Sequence, residues 1–334
     1  MRDADGWGRM GWRSWRDLDE VRARLASGAD PDSGRPGWPP PLHHAAEYGS
    51  AEVVAELAAV VTDVDAEHDG RTALWAAVNA GRDDNARALA AAGADPWRPM
   101  MNGWSPGRLS LAGRTPDLFE PGPVEPGPVE PGLFQPGTAG LSPAEAAAVA
   151  EARRLIAALG DFHDEGLSLS CVAGIDAAEA VRRLGATVVE DVSVEDMWDR
   201  MPDAEALLTV GVTDVPGGCV VSQPWAYGAS TPVVARLLSA GTVCYAMYAN
   251  PKSGNQGRIM RDGAVVDWDL HPGGGWAGAE EPAEEILRTF LYRHQAVAYC
   301  CAYAGVRPED ARAFTGPPDL WVQLPERDYW RTAA

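Results

Sequence analysis

Two short runs fix most of what the first third of this 334-residue chain can become. Pro41-Leu42-His43-His44-Ala45-Ala46-Glu47-Tyr48-Gly49 is echoed by Thr72-Ala73-Leu74-Trp75-Ala76-Ala77-Val78-Asn79-Ala80-Gly81. Leu42 and Leu74 lie 32 positions apart, and so do Gly49 and Gly81. A second string, Gly28-Ala29-Asp30-Pro31, returns as Gly93-Ala94-Asp95-Pro96, 65 positions later. Such a period is one helix-turn-helix unit. One unit cannot bury both faces of its helix pair, so neighbours must stack and atypical end units must close the stack. Small residues at Ala45-Ala46 and Ala76-Ala77 let successive inner helices approach closely.

Punctuation sets the helices. Asp17 to Ala26 places Leu18, Val21 and Leu25 on one face, and Gly28 and Pro31 stop it. Inner helices are predicted from about Leu42 to Tyr48 and over Ala73–Ala80, with outer helices over Ala51–Val61 and Asp83–Ala92. Fingers fall at Asp32–Pro40, Asp65–Arg71 and Arg98–Trp104. Ser105-Pro106-Gly107-Arg108-Leu109-Ser110 fits a repeat start poorly, so the expected count is two complete repeats with a half repeat at each end. Residues 1–14 are expected to fray at their start.

The repeated core resembles the Thr-Pro-Leu-His-x-Ala-Ala motif of the ankyrin family, over roughly the first third of the chain. The resemblance implies an all-α solenoid at 1–114 that binds a protein partner on its concave face. It also gives His43 a structural role, its ring bonding backbone groups that join adjacent fingers. Trp75 at the matching position cannot do the same and is expected to fill core volume. His44, Glu47, Tyr48, Asn79 and Ala80 would face the concave side, flanked by finger residues Trp38, His68, Met100, Met101 and Trp104. Exposed Trp and Met at loop tips suggest a protein contact. The alternative is that they pack on the C-terminal part of the chain.

The formal net charge of -20, from 48 acidic and 28 basic residues, disfavours nucleic acid and anionic membrane as partners. No apolar run is long enough to span a membrane and the start lacks an apolar leader, so a cytoplasmic location is expected. Five cysteines, an odd number without C-x-x-C, fit neither a disulfide framework nor a zinc knuckle. Free core thiols are expected, with one of the adjacent Cys300 and Cys301 left spare. From Glu120 to Gly137 a five-residue Pro/Gly repeat removes amide donors at short intervals, so 115–140 reads as a linker.

Residues 141–334 read as an α+β domain with a mostly antiparallel sheet covered by helices. Ser142-Pro143-Ala144-Glu145 opens a helix by a capping box. Strands are predicted at Leu167–Ala173, Ala206–Thr213, Cys219–Gln223, Thr242–Tyr248, Gln256–Arg261 and Ala264–Asp269, the last two flanking Asp262-Gly263. Helices are predicted from Ile175-Asp176 to Gly185, near Ser193–Arg200, and from Thr231-Pro232 to Gly241. One long amphipathic helix from Pro282 to Tyr303 is expected to cover the sheet, and Pro317–Leu324 to add an edge segment. The order of elements over 165–270 is similar to an uncharacterised family of small bacterial domains, from Ser170-Cys171-Val172-Ala173-Gly174-Ile175-Asp176 onward. That likeness implies a fold but no activity.

Chemistry-bearing residues do not converge in the sequence. Trp225 and Tyr227, with Lys252 in a later turn, form the best small recognition spot. His163 beside Asp164 and Glu165, and His271 after Asp267 and Asp269, follow no established metal spacing. No cofactor and no metal site are expected. The leading expectation is a non-enzymatic interaction protein, regulatory or toxin-neutralising, whose acidic surface meets a basic target. The alternative is a hydrolase or transferase in 141–334 with His163, His271 and nearby carboxylates as its site.

Overall fold

In a computed structural model the chain is described at residues 6–8, 10–11, 13–34, 37–120, 140–199, 203–268, 271–275, 277–278 and 280–331, apart from the side chain of Trp198. Most of the Pro/Gly repeats, Arg200 and Asp269 lie outside the described residues. The helices are α1 Leu18–Ala26, α2 Pro41–Tyr48, α3 Ala51–Ala58, α4 Ala73–Asn79, α5 Asp83–Ala91, α6 Pro106–Ala112 and α7 Pro143–Leu159. They continue with α8 Ala177–Leu184, α9 Val194–Asp199, α10 Ala204–Leu207, α11 Pro232–Leu238, α12 Ala283–Leu291, α13 Ala296–Ala304 and α14 Arg312–Thr315. Two compact units result, one made of Met1–Ala148 with Ala277–Leu291, the other of Val149–Trp276 with Tyr292–Ala334.

The first unit is the helical repeat array. Asp17, Ser50, Thr72 and Ser105 cap α1, α3, α4 and α6, each side chain accepting a first-turn backbone N–H. Ser105 therefore does start a helix, although its string departs from the repeat motif. Inner helices α2, α4 and α6 pack in sequence, and outer helices α1, α3 and α5 do likewise. Repeated bonds hold the stack. Asp32 accepts from Thr62 N at 3.0 Å, and Asp65, one period on, accepts from Asp95 N at 3.1 Å. Buried Asn85 of α5 donates to the carbonyls of Ala45, Ala46 and Gly49 at 3.0–3.2 Å, satisfying the C-terminal end of α2.

Both ends of the array are closed, the second as in the alternative in which finger residues pack on the C-terminal part of the chain. Trp7 is buried, stacks on Trp15 at 5.8 Å and donates its indole N–H to Asp30 O, while residues 1–5, where fraying was expected, lie outside the described residues. At the other end α12 packs on α6 and on the Met101–Gly103 turn. Trp104 Nε1 donates to Ala283 O at 2.9 Å, and Asn102 Nδ2 donates to Glu281 O. Arg108, buried in α6, pairs with Glu145, its Nη2 lying 2.7 Å from each carboxylate oxygen.

The expected long helix from 282 to 303 is thus two helices with different jobs. His294 takes φ 61 and donates its backbone N–H to Gly273 O, breaking the chain direction between α12 and α13. Gly273 comes so close to the start of α13 that a Cβ there would lie 2.9 Å from the Ala296 backbone.

The second unit is built on one antiparallel sheet of β1 Ser168–Ala173, β2 Thr187–Val189, β3 Thr209–Val215, β4 Gly218–Gln223, β5 Val243–Asn250, β6 Gly254–Arg261, β7 Ala264–Asp267 and β8 Leu320–Gln323. The strand order is β2-β8-β3-β4-β1-β5-β6-β7. β8 pairs with both β2 and β3, so the tail segment expected at an edge lies inside the sheet. The Asp262-Gly263 hairpin forms as predicted, with φ of 50 and 76 at its two central residues. One face buries Val172, Val212, Val221, Ala246 and Met260 under α8 and α11. The other packs against α13, where Cys301 Sγ lies 3.7 Å from Cys171 Sγ and Cys300 Sγ lies 3.7 Å from Met247 Sδ. Both adjacent cysteines are fully buried, because α13 is apolar all round and embeds too deeply to leave one thiol spare.

Candidate functional site

The surface of the repeat array around α2 carries His44, Glu47 and Tyr48, three of the residues expected to meet a partner. His44 lies in an aromatic slot, stacked on Trp15 at 5.4 Å and tilted against Trp38 at the same distance, with Tyr48 6.4 Å away. Trp38 keeps 47% of its surface exposed, and Glu47 and Tyr48 are half-buried. The chain here is held from neighbouring elements, since Arg16 donates to Tyr48 O and Arg82 to Glu47 O, each at 3.0 Å. Burial lowers the imidazole pKa of His44, and the neighbouring His68 adds to the effect.

His43 behaves as the family resemblance implied. Its Nε2 lies 2.9 Å from the carbonyl of Arg71, at the end of the next finger. Desolvation pulls its pKa down to about 4, against the pull of that carbonyl. His68 meets His43 edge-on at 6.1 Å, at the start of a turn in which Asp69 and Gly70 both take positive φ. Beside His43 a mostly apolar cavity of about 290 Å³ opens between Pro31, Leu42, Val61 and Val64. Trp75 is buried in the core.

Three of the residues expected on this surface are interior. Asn79 and Met101 are buried, and Trp104 is fully buried with its ring 4.5 Å from the Arg108 guanidinium. The finger carrying Met101 and Trp104 is covered by residues 281–291, so its apolar side chains meet this chain's own α12. Met100 stays half-buried, its sulfur 3.8 Å from Thr72 Oγ1.

In the second unit His163 is exposed, with Glu165 3.6 Å away, and His271 is exposed in the turn 271–275. Among the described residues no group of three His, Cys, Asp or Glu is placed to hold a metal. Trp225, Tyr227 and Lys252, the recognition spot read from the sequence, are each exposed. Trp225 lies over Gly166, where a Cβ would fall 2.1 Å from its ring, and Lys252 is exposed in the turn between β5 and β6. Tyr227 is edge-on to Tyr248 at 6.4 Å and tilted against Trp330 at 5.2 Å. Trp330 was not singled out by any motif, since it follows no pattern except proximity in the fold.

Residues 15–100 match the ankyrin repeat family, described as ankyrin repeats (3 copies). Two complete repeats with a half repeat at each end, as counted from the motif, amount to the same three repeat lengths, and the match stops before the Ser105 string. No curated protein gives a significant match to the chain. No helix among the described residues is long and apolar enough to cross a membrane.

Proposed function

We propose that this chain is a protein-binding scaffold whose ankyrin repeats hold a partner against the surface around α2. Ankyrin repeats suggest protein–protein interaction. The observation that carries the reading is the Trp15–His44–Trp38 slot with Tyr48 at its side, in which Trp38 is 47% exposed. Large aromatic rings held rigid beside a polar rim are the side chains that dominate binding energy at protein interfaces.

Glu47 and His68 supply that rim, with Met100 farther along the array. The partner surface most complementary to a chain of formal charge -20 is basic, with an apolar residue to enter the slot. A regulatory or toxin-neutralising role and a cytoplasmic setting follow from this reading. It needs neither nucleic acid nor a cofactor. The likeness of residues 165–270 to a family of small bacterial domains adds a fold and no activity.

The test is affinity capture from native cell extract with the full chain, beside the double change Trp38→Ala, Tyr48→Ala. One protein retained by the wild type and lost from the variant supports the reading. Its release between about 50 and 500 mM salt supports the basic partner. Equal retention by both forms would remove the α2 surface from the interface.

A further inference from the structure

We propose that the second unit carries a binding site for a flat organic monoanion, an aromatic carboxylate, built around Arg258 on the α11 face of the sheet. Arg258 lies on β6 directly opposite Ala246 of β5, a residue of the core under α11, so the two side chains share that face. It is 9% exposed, and its Nε and Nη1 are buried without a hydrogen-bond partner among the described residues. No ion pair with Arg258 is formed among these residues, and burial pushes its pKa down. A guanidinium left in this state is destabilising in a protein interior unless an acceptor reaches it.

The strand geometry places aromatic rings around this cation. Met260 opposes Val265, but Ile259 opposes Asp267, because a β-bulge inserts one extra residue into β7. The next pair in the shifted register is Arg258 with Trp268, and the guanidinium lies 3.9 Å from the indole ring centre. Without the bulge Asp267 would oppose Arg258 and Trp268 would fall on the other face. The bulge thus replaces an acidic neighbour with an indole that cannot neutralise the charge.

Tyr248, opposite Gln256, is the diagonal same-face neighbour of Arg258 and leads to Tyr227 and Trp330. Trp268 and Trp330 are each 57% exposed and Tyr227 38%, which leaves ring surface for a flat ligand. One positive charge with no ion pair among the described residues matches one carboxylate. The net charge of -20 disfavours a ligand of higher negative charge.

The experiment is titration calorimetry of the full chain with 2-naphthoate at low salt, using 2-naphthalenemethanol as the uncharged isostere and 2-naphthyl phosphate as the dianion. Naphthoate is expected to bind the wild type. Its affinity should fall at least tenfold in Arg258→Gln and in Trp268→Ala, and the alcohol should bind at least tenfold more weakly than the acid. Trp268→Ala alters an exposed side chain and decides the matter if Arg258→Gln does not fold. Absence of naphthoate binding to the wild type, or equal binding to every folded variant, would overturn the site. Tighter, Arg258-dependent binding of the phosphate would overturn the monocarboxylate class.

Discussion

The indole N–H of Trp104 donates to the carbonyl of Ala283 at 2.9 Å, joining residues 179 positions apart in the chain. Arg71, 33 positions before Trp104 at the matching place in the preceding finger, donates to Ala277 O at 3.5 Å. Successive repeats therefore use the same finger position to hold the segment that closes the array at its second end. Ends of a repeat stack need a cover for their apolar surface, and here a helix encoded far downstream supplies it.

Removing this contact is expected to loosen the array. Trp104→Phe keeps most of the buried ring and strips the donor from Ala283 O, at a cost of about 1–2 kcal/mol. Trp104→Ala adds a cavity and costs about 3–5 kcal/mol. Urea unfolding followed by circular dichroism measures both, and an unchanged midpoint for Trp104→Ala would show that α12 does not close the array.

The Arg108–Glu145 pair is expected to matter through its burial, since the two side chains are 5% and 16% exposed. Arg108→Met leaves the carboxylate without its cation and should cost about 3–5 kcal/mol, whereas the double change Arg108→Met, Glu145→Met should recover much of that loss. A double-mutant cycle on unfolding free energies reads the coupling. Additive losses would mean that the pair contributes nothing as a pair.

Asn85 is expected to be intolerant of small changes. Its amide serves three carbonyls at the end of α2, so Asn85→Ala should cost about 2 kcal/mol by leaving buried acceptors short of a donor. Asn85→Asp should cost more, because a carboxylate would face those oxygens. Thermal unfolding of the two variants gives the order, and a more stable Asp variant would contradict it.

Acid should weaken the array through His43. Its folded pKa is about 4, while an unfolded histidine titrates near 6.5, so the folded state binds fewer protons between these values. The stability this confers is fully present above pH 6.5 and is lost as pH falls towards 4, to a total of about 3 kcal/mol. His43→Gln removes the titration while keeping a side-chain amide for Arg71 O. Unfolding midpoints at several pH values should show a shallower acid slope in the variant, and identical slopes would place the proton uptake elsewhere.

Residues whose neighbours are local, or recur at a fixed period, were legible in the sequence. The 32-residue spacing, the small alanines and the Gly-Ala-Asp-Pro strings determined the repeat array, and His43 found the backbone bond its motif implies. Asp262-Gly263 specified its hairpin because two consecutive positive φ angles favour few residue pairs. Tertiary structure alone decided the rest. Amphipathic spacing across 282–303 is the same whether the chain makes one helix or two, and only the turn at His294 sends α12 to the array and α13 to the sheet. Trp104 looks like an exposed finger residue until a segment 179 positions away covers it. Likewise the pairing of Arg258 with the Trp268 ring depends on a bulge in the neighbouring strand. Periodic and turn signals act within a few residues, whereas burial and charge pairing are set by partners that the chain brings together only when folded.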